Sequence, residues 1–317
     1  TQVSKQPDVV QLFAVDPSFD RDDPAWTADP PREWEFGERF LYENDPDRLL
    51  FLGRLPMIGL ALLLAWIVGQ FAADLFGDRA GLAALALVAL SPNVLAHGRL
   101  VTMDVPVACF STWFVHRLWR HARDGRRRDA VLAGLALGLA LATKFSALIL
   151  LPVLAVLAPL AIRRDGRSPI RRILAGLGLA GAVTVIAIVV VLAVYRFPSD
   201  PGFYLDGVLR VNADHDPNRA YYLLGHFRVG GWWWYFPVAY LVKTPLPTLA
   251  LLAVSLLPAV RRAVPTAGGP RDLAFVAIPA LAWTAVTCAL ADNLGVRYLM
   301  PVVPLVAVLA SRAVAAA

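Results

Sequence analysis

Six charged or titratable side chains sit where an apolar chain should not carry them. His97, Arg99, Asp104, Lys144, Lys243 and Arg297 fall at the ends of long apolar stretches, and Arg54 lies just inside another. Charge within a membrane is costly and tends to be functional. Four cations converging on one rim suit an anion, and the natural anion beside a membrane is a lipid phosphate. A guanidinium such as Arg54 or Arg297 offers a donor fork matched to phosphate oxygens. Arg54 could equally snorkel to the interface. Lys144 is harder to explain away: it is the only charge between Asp129 and Ala161, and a lysine at the centre of a spanning helix costs about 2.5–3.5 kcal/mol.

The densest stretch is Ser91-Pro-Asn-Val-Leu-Ala-His-Gly-Arg-Leu-Val-Thr-Met-Asp-Val-Pro106. It reads as a tight turn between two membrane helices, with Pro92 ending or kinking the first and Gly98 permitting the turn. Thr102 is the expected N-cap of the second helix. Asp104 would lie in that helix's first turn, where it complements the helix dipole, orients a sugar hydroxyl, binds a metal or supports a base. His97 and Arg99 share its turn.

These residues need elements to hold them. The 317 residues are 58% hydrophobic and 17% charged, with a mean hydropathy of +0.58, which predicts an integral membrane protein. Nine apolar stretches predict an all-α bundle of about nine transmembrane helices. Residues 1–48, with twelve acids and five bases, read as an aqueous extracytoplasmic loop. Residues 49–194 carry six helices, 195–244 a second outer loop, and 245–317 three more helices. The run from Asp129 to Ala161 has basic flanks on both sides and so reads as a hairpin of two short helices turning near Lys144.

The arginine clusters Arg117–Arg128, Arg163–Arg172 and Arg261–Arg271 alternate to one side, taken as cytoplasmic. The basic balance, +6 formal charge, follows that rule, so no nucleic-acid partner is expected. Cys109 and Cys288 lie inside apolar runs and form no disulfide framework. Gly134, Gly138, Gly176, Gly178 and Gly181 are expected at close helix contacts.

The outer loop holds Asp214-His-Asp216, a weak metal signal without further ligands, and Tyr222 beside the cluster Trp232-Trp-Trp-Tyr-Phe236. The aromatics read as a membrane belt or as a platform shaping a lipid or sugar groove, with Tyr222 and Trp234 as substrate contacts. No phosphate-binding glycine loop, catalytic serine motif or zinc motif occurs.

At "LSPNVLAHGRLVTMDVP", "GLALATKFSAL", "YYLLGHFRVGGWWWYFPVAYLVKTPLP" and "NLGVRYLMPVVPL" the chain resembles the phospholipid-carrier-dependent glycosyltransferases. These are the bacterial relatives of protein O-mannosyltransferases and of the lipid A aminoarabinose transferase. The likeness runs in order over about residues 35–315. It implies a GT-C-type bundle in the bacterial inner (plasma) membrane with its site on the extracytoplasmic face. It also implies a polyprenyl-phosphate sugar donor and a glycan, lipid or protein acceptor. On this reading Arg54, Lys144, Lys243 and Arg297 hold the lipid phosphate, while His97, Arg99, Tyr222 and Trp234 contact substrate. Asp104 is a supporting catalytic residue. No metal or other cofactor is called for.

The family's Asp-Glu pair, which carries the base in the first outer loop, has no match in residues 1–48. A chain beginning at Thr1 and ending in an Ala-rich tail is therefore expected to be a fragment cut at both ends, with the first helix and the main base upstream. The alternatives are a lipid-linked saccharide transporter and a non-catalytic membrane scaffold.

Overall fold

The computed structural model describes residues 17–316 except 19, 21, 29–31, 163–167, 214, 215, 217 and 267. Residues 24–27 make one turn of helix. Then come α1 (Glu33–Tyr42), α2 (Pro46–Phe76), α3 (Asp78–Ala89), α4 (Pro92–Gly98), α5 (Asp104–Asp124) and α6 (Arg127–Thr143). A 3-10 turn, Phe145–Ile149, leads into α7 (Leu150–Ala161). The chain continues as α8 (Pro169–Val194), α9 (Phe203–Ala213), the antiparallel hairpin β1 (Ala220–Leu223) and β2 (His226–Val229), and α10 (Tyr235–Lys243). It ends with α11 (Leu246–Leu256), α12 (Pro258–Ala263), α13 (Pro270–Leu290), a 3-10 turn Val296–Leu299 and α14 (Val302–Ala315).

The all-α membrane class stands. By length and composition α2, α8 and α13 can each cross a bilayer, and the number reaches five if the bent pairs α3–α4 and α10–α11 count as one span each. The nine apolar stretches all coincide with helical segments, but not all are straight full-length rods. Pro92 bends α4 by 57° from α3, and the break at Thr244-Pro245 turns α11 by 111° from α10. In both cases proline opens the second helix, because it needs no N–H partner there but cannot continue a ladder. The stretch expected from 245 therefore begins ten residues earlier, in α10. The 129–161 hairpin is present: Lys144 leaves the helix in an extended conformation (φ −153°, ψ 132°) between α6 and the 3-10 turn.

The described part of the acidic N-terminal segment, from residue 17 on, carries short helices. Trp26, Phe36 and Phe40 stack, Arg39 bonds Asp23, and α2 starts at Pro46 under an Asp45 cap. Arg54 consequently lies about two turns inside its helix.

Packing follows the small residues. Gly134 and Gly138 of α6 lie against Ile186 and Val190 of α8, where a Cβ would collide, and Gly176 lies against Pro159. Gly178 and Gly181 face open space and play no such part. Gly98 is not the residue that permits its turn, since its φ is ordinary; it lets α4 approach Ala61 of α2. The core gathers the inner faces of α2, α3, α5, α6, α7 and α14 around Phe71, Phe114, Trp119, Leu137 and Leu154. Leu62, Leu82, Leu177 and Leu281 on the long helices remain open, as lipid-facing positions should.

Candidate functional site

Asp104 begins α5 and is buried. The N-cap is Met103, without a side-chain bond, and Thr102 does not cap: its hydroxyl is buried with no partner among the described residues. A carboxylate at the first helical position is favoured by the helix dipole, yet here it also has a tertiary partner. Lys144 Nζ donates to Asp104 Oδ1 at 2.7 Å. His97 Nδ1 stands 3.9 Å from Asp104 Oδ2 and has no hydrogen-bond partner among the described residues. With Asp104 buried and Lys144 half-buried, removing the lysine would leave a buried carboxylate uncompensated.

Local geometry explains the meeting. The Lys144 N–H still bonds Ala140 O as α6 ends, and its C=O accepts from Ala147, so the residue is fixed on both sides while its side chain is freed from the helix. The ammonium lies 5.0 Å from the centre of the Tyr298 ring. Arg297 approaches the same ring at 5.5 Å. Tyr298 is held by Trp283 Nε1, which donates to its carbonyl at 2.9 Å, and by an edge contact from Phe236 at 6.0 Å. The quadrupole of the ring attracts both cations. It also keeps them near one another without neutralising them.

Among the residues expected at the site, the structure joins His97, Asp104, Lys144 and Arg297. Lys243 is linked less directly: its carbonyl accepts from Asn93 Nδ2 at 3.1 Å, on the same short helix as His97. Arg54 is exposed, on the α2 surface two turns from the Ala61–Gly98 contact, and forms no ion pair among the described residues. Arg99 is exposed just after α4. Tyr222 packs on Phe227 in the hairpin, and Trp234 packs on Trp232 just before α10. None of these last four forms a hydrogen bond, ion pair or ring contact with Asp104 or Lys144. Asp214 and His215 lie outside the described residues. No group of three or more His, Cys, Asp or Glu among the described residues could hold a metal.

Tyr298 and Asn93 were not expected at the site. The signal for Tyr298 was its place beside Arg297; Asn93 carried none.

A second set of charges closes the other end of the bundle, about 18–27 Å away along α5 at about 1.5 Å per residue. Asp74 takes His116 Nε2 at 2.9 Å and Arg120 at 3.6 Å, and Arg117 bonds Asp129 at 3.1 Å. Trp119 Nε1 and the Gly268 N–H share Asp272. Arg271 donates to Leu160 O and Ala122 O, and Arg312 to Arg261 O and Val264 O. The Asp74–His116 pair was likewise unforeseen, although an Asp and a His inside apolar helices were visible signals.

Comparison with known proteins agrees with this architecture. Residues 49–193 match the family model described as dolichyl-phosphate-mannose-protein mannosyltransferase. That span contains His97, Asp104 and Lys144. No curated protein matches by sequence. Among solved structures, ArnT from Cupriavidus metallidurans in the apo state superposes with a TM-score of 0.57 at 22% identity, over 88% of this chain and 47% of that one. The same protein bound to undecaprenyl phosphate gives 0.58 at 22% identity, over 83% and 46%. The chain thus spans about half the length of these structures, and a likeness at this identity speaks for the fold. Through residues 49–193 the chain is similar to the dolichyl-phosphate-mannose-protein mannosyltransferase family, and its all-helical membrane fold is the one seen in the ArnT structures.

Proposed function

We propose that the chain belongs to a membrane glycosyltransferase, which moves one sugar from a polyprenyl-phosphate carrier to an acceptor hydroxyl on the extracytoplasmic face of a bacterial inner membrane. The observation that carries this reading is the Lys144–Asp104 pair, its carboxylate buried and its ammonium half-buried, with Arg297 brought alongside through Tyr298. ArnT, which shares the fold, has been solved with undecaprenyl phosphate, and that supports a lipid phosphate as the group these cations meet.

The acceptor oxygen attacks the anomeric carbon, and the bond to the lipid phosphate oxygen breaks with its electron pair staying on the phosphate. A carboxylate base takes the acceptor proton. Charge grows on the leaving phosphate, and preset cations stabilise it with little reorganisation. Lys144 has three donors and gives one to Asp104, so two remain for phosphate oxygens. Asp104 holds Lys144 in place and leaves its second oxygen, toward His97, to orient a sugar hydroxyl. Arg297, Lys243 and Arg54 line the approach of the headgroup, and Arg99, Tyr222 and Trp234 the approach of sugar and acceptor. The acceptor is a lipid, a glycan or a protein hydroxyl. Apart from the lipid-linked donor this chemistry calls on no cofactor or metal.

The test is transfer from a radiolabelled polyprenyl-phosphate sugar in membranes carrying the full-length protein. Asp104→Asn and Lys144→Ala should each lower the rate about tenfold or more, the scale of a lost transition-state contact. Normal transfer by both variants at equal protein level would remove the pair from the reaction.

A further inference from the structure

The β1–β2 hairpin has two unlike faces. Its register pairs Ala220 with Val229, Tyr221 with Arg228, Tyr222 with Phe227 and Leu223 with His226. Alternation then puts Tyr221, Leu223, His226 and Arg228 on one side, and Ala220, Tyr222, Phe227 and Val229 on the other. The first side is docked through β1 only: Tyr221 and Leu223 are buried, Tyr221 Oη donates to Asp292 Oδ1 at 2.7 Å, and the Trp232 N–H just past β2 donates to Asn293 Oδ1 at 2.6 Å, while His226 and Arg228 on β2 stay exposed at its rim.

The second side is wholly apolar and open. Tyr222 is 56% exposed, Phe227 76% and Val229 59%. The turn adds Leu224, 62% exposed and held at φ 49°, beside Gly225 at φ 90°. Two-residue turns of this hand favour Asn or Asp before Gly. Leucine is disfavoured there and gains nothing by facing water. A hairpin with one wet face normally shows polar side chains on it.

Two observations name what covers this face. Asp292 and Asn293 follow directly on α13, a helix of 21 residues long and apolar enough to span. The hairpin is therefore tied to the level at which a spanning helix leaves the hydrocarbon. From Asn218 to Trp234 the chain has Arg219 and Arg228, no acid, and three consecutive tryptophans. Trp and Tyr settle at the headgroup level, and anionic headgroups attract basic side chains held near them.

We propose that the outer face of the hairpin lies in the headgroup–acyl boundary of the membrane, with Tyr222, Leu224, Phe227 and Val229 among the upper acyl segments and Arg219 and Arg228 within reach of lipid phosphates. A two-stranded sheet keeps unpaired backbone groups on its edges and cannot enter the hydrocarbon core, so the insertion is shallow, about 5–10 Å. The immersed hairpin anchors the segment leading to Phe236, which packs on Tyr298. The inference rests on the membrane fold and not on the transfer reaction.

The test places an environment-sensitive thiol fluorophore at Phe227→Cys or Tyr222→Cys in the full-length protein, with Cys109→Ala and Cys288→Ala. The protein is reconstituted into phosphatidylcholine vesicles with and without phosphatidylglycerol. A lipid nitroxide at a shallow acyl position should quench both labels several-fold more than a label at Glu33→Cys. Emission should be shifted to the blue. Adding Arg219→Glu and Arg228→Glu should reduce the quenching in the phosphatidylglycerol vesicles and restore a wetter emission. Labels at 222 and 227 that are as wet and unquenched as the one at 33 would overturn the proposal. So would shielding from water without lipid quenching, which would mean that a protein covers the face. Sugar transfer is not the readout, so an inactive preparation still tests it.

Discussion

The two ends of the bundle use the same kinds of residue for different ends. Where α2, α5, α6, α7, α12, α13 and α14 meet, most of the charges are paired: Asp74 by His116 and Arg120, Asp129 by Arg117, Asp272 by Trp119 and the Gly268 N–H, Arg271 and Arg312 by backbone carbonyls, with Arg117 Nε left unmatched among the described residues. These bonds tie helix ends together and leave little to offer a ligand. Where α4, α5, α6 and α14 meet, the charges are under-used. Lys144 has one carboxylate and a ring face, Asp104 has an oxygen pointing at a distant imidazole nitrogen, and the His97 nitrogen and Thr102 hydroxyl go unmatched. Buried polar groups are ordinarily satisfied. The unmatched His97 nitrogen here faces Asp104, where the proposed reaction places the substrate. The number of charges says little about function; their unused capacity says more.

The sharpest way to break this contrast compares pairs at opposite ends. Lys144→Ala should cut sugar transfer about tenfold or more. Arg117→Ala, which frees Asp129 at the other end, should leave turnover per folded molecule within about twofold while lowering stability. Equal losses of turnover from both would erase the distinction.

Next in size is the structural end itself. Asp272→Ala strands the Trp119 indole N–H and the Gly268 N–H, and each unmatched buried donor costs about 1–3 kcal/mol. Detergent-solubilised protein should melt several degrees lower, and substrate affinity in the surviving fraction should hold. A raised KM with unchanged melting would move Asp272 into the working site.

Arg297→Ala sharpens the other side of the comparison. It removes one cation from Tyr298 but leaves Lys144 and Asp104 bonded. Its contact is partly exposed, so a loss of about 1 kcal/mol is expected, read as a rise of roughly fivefold in KM for the lipid-linked donor with melting unchanged. An unaltered KM would confine the phosphate to Lys144.

The smallest effect concerns the hairpin. Burial, and then the hydrogen bond to Asp292, push the Tyr221 phenol from its usual 10 up to about 12. A group whose folded value is raised lends its stability below its unfolded value and loses it as pH climbs. Tyr221 should therefore hold the hairpin in full up to about pH 10 and release it through about pH 12. Difference absorbance of wild type against Tyr221→Phe should show one phenol titrating late; ordinary titration near 10 would remove the anchor.

Much of this plan was legible in the chain. Apolar length located the helical segments, and the proline positions 92 and 245 marked the breaks, although the bent helix ahead of Pro245 went unread. Lys144 announced a turn because no straight helix could enter and leave among the arginines flanking 129–161. The small residues were only half legible: Gly134, Gly138 and Gly176 lie in contacts, and Gly178 and Gly181 do not, because spacing gives a small face without saying that anything packs on it. Thr102 looked like a cap by type, yet its hydroxyl does not reach the helix, and Met103 occupies that position without a side-chain bond.

The sequence by itself determined that the chain is a membrane bundle, that its basic clusters belong to one end, and that a handful of charges would be stranded at the other. Only the tertiary structure decided partners: that Lys144 reaches Asp104 forty residues away, that Arg297 shares Tyr298 with it, and that Asp74 and His116 pair in the far half of α5. Helices apolar on nearly every face carry no pattern that fixes their rotation about their own axes. That rotation is set by how neighbours interlock, through Gly138 against Val190 and Gly98 against Ala61, and it chooses which charges meet.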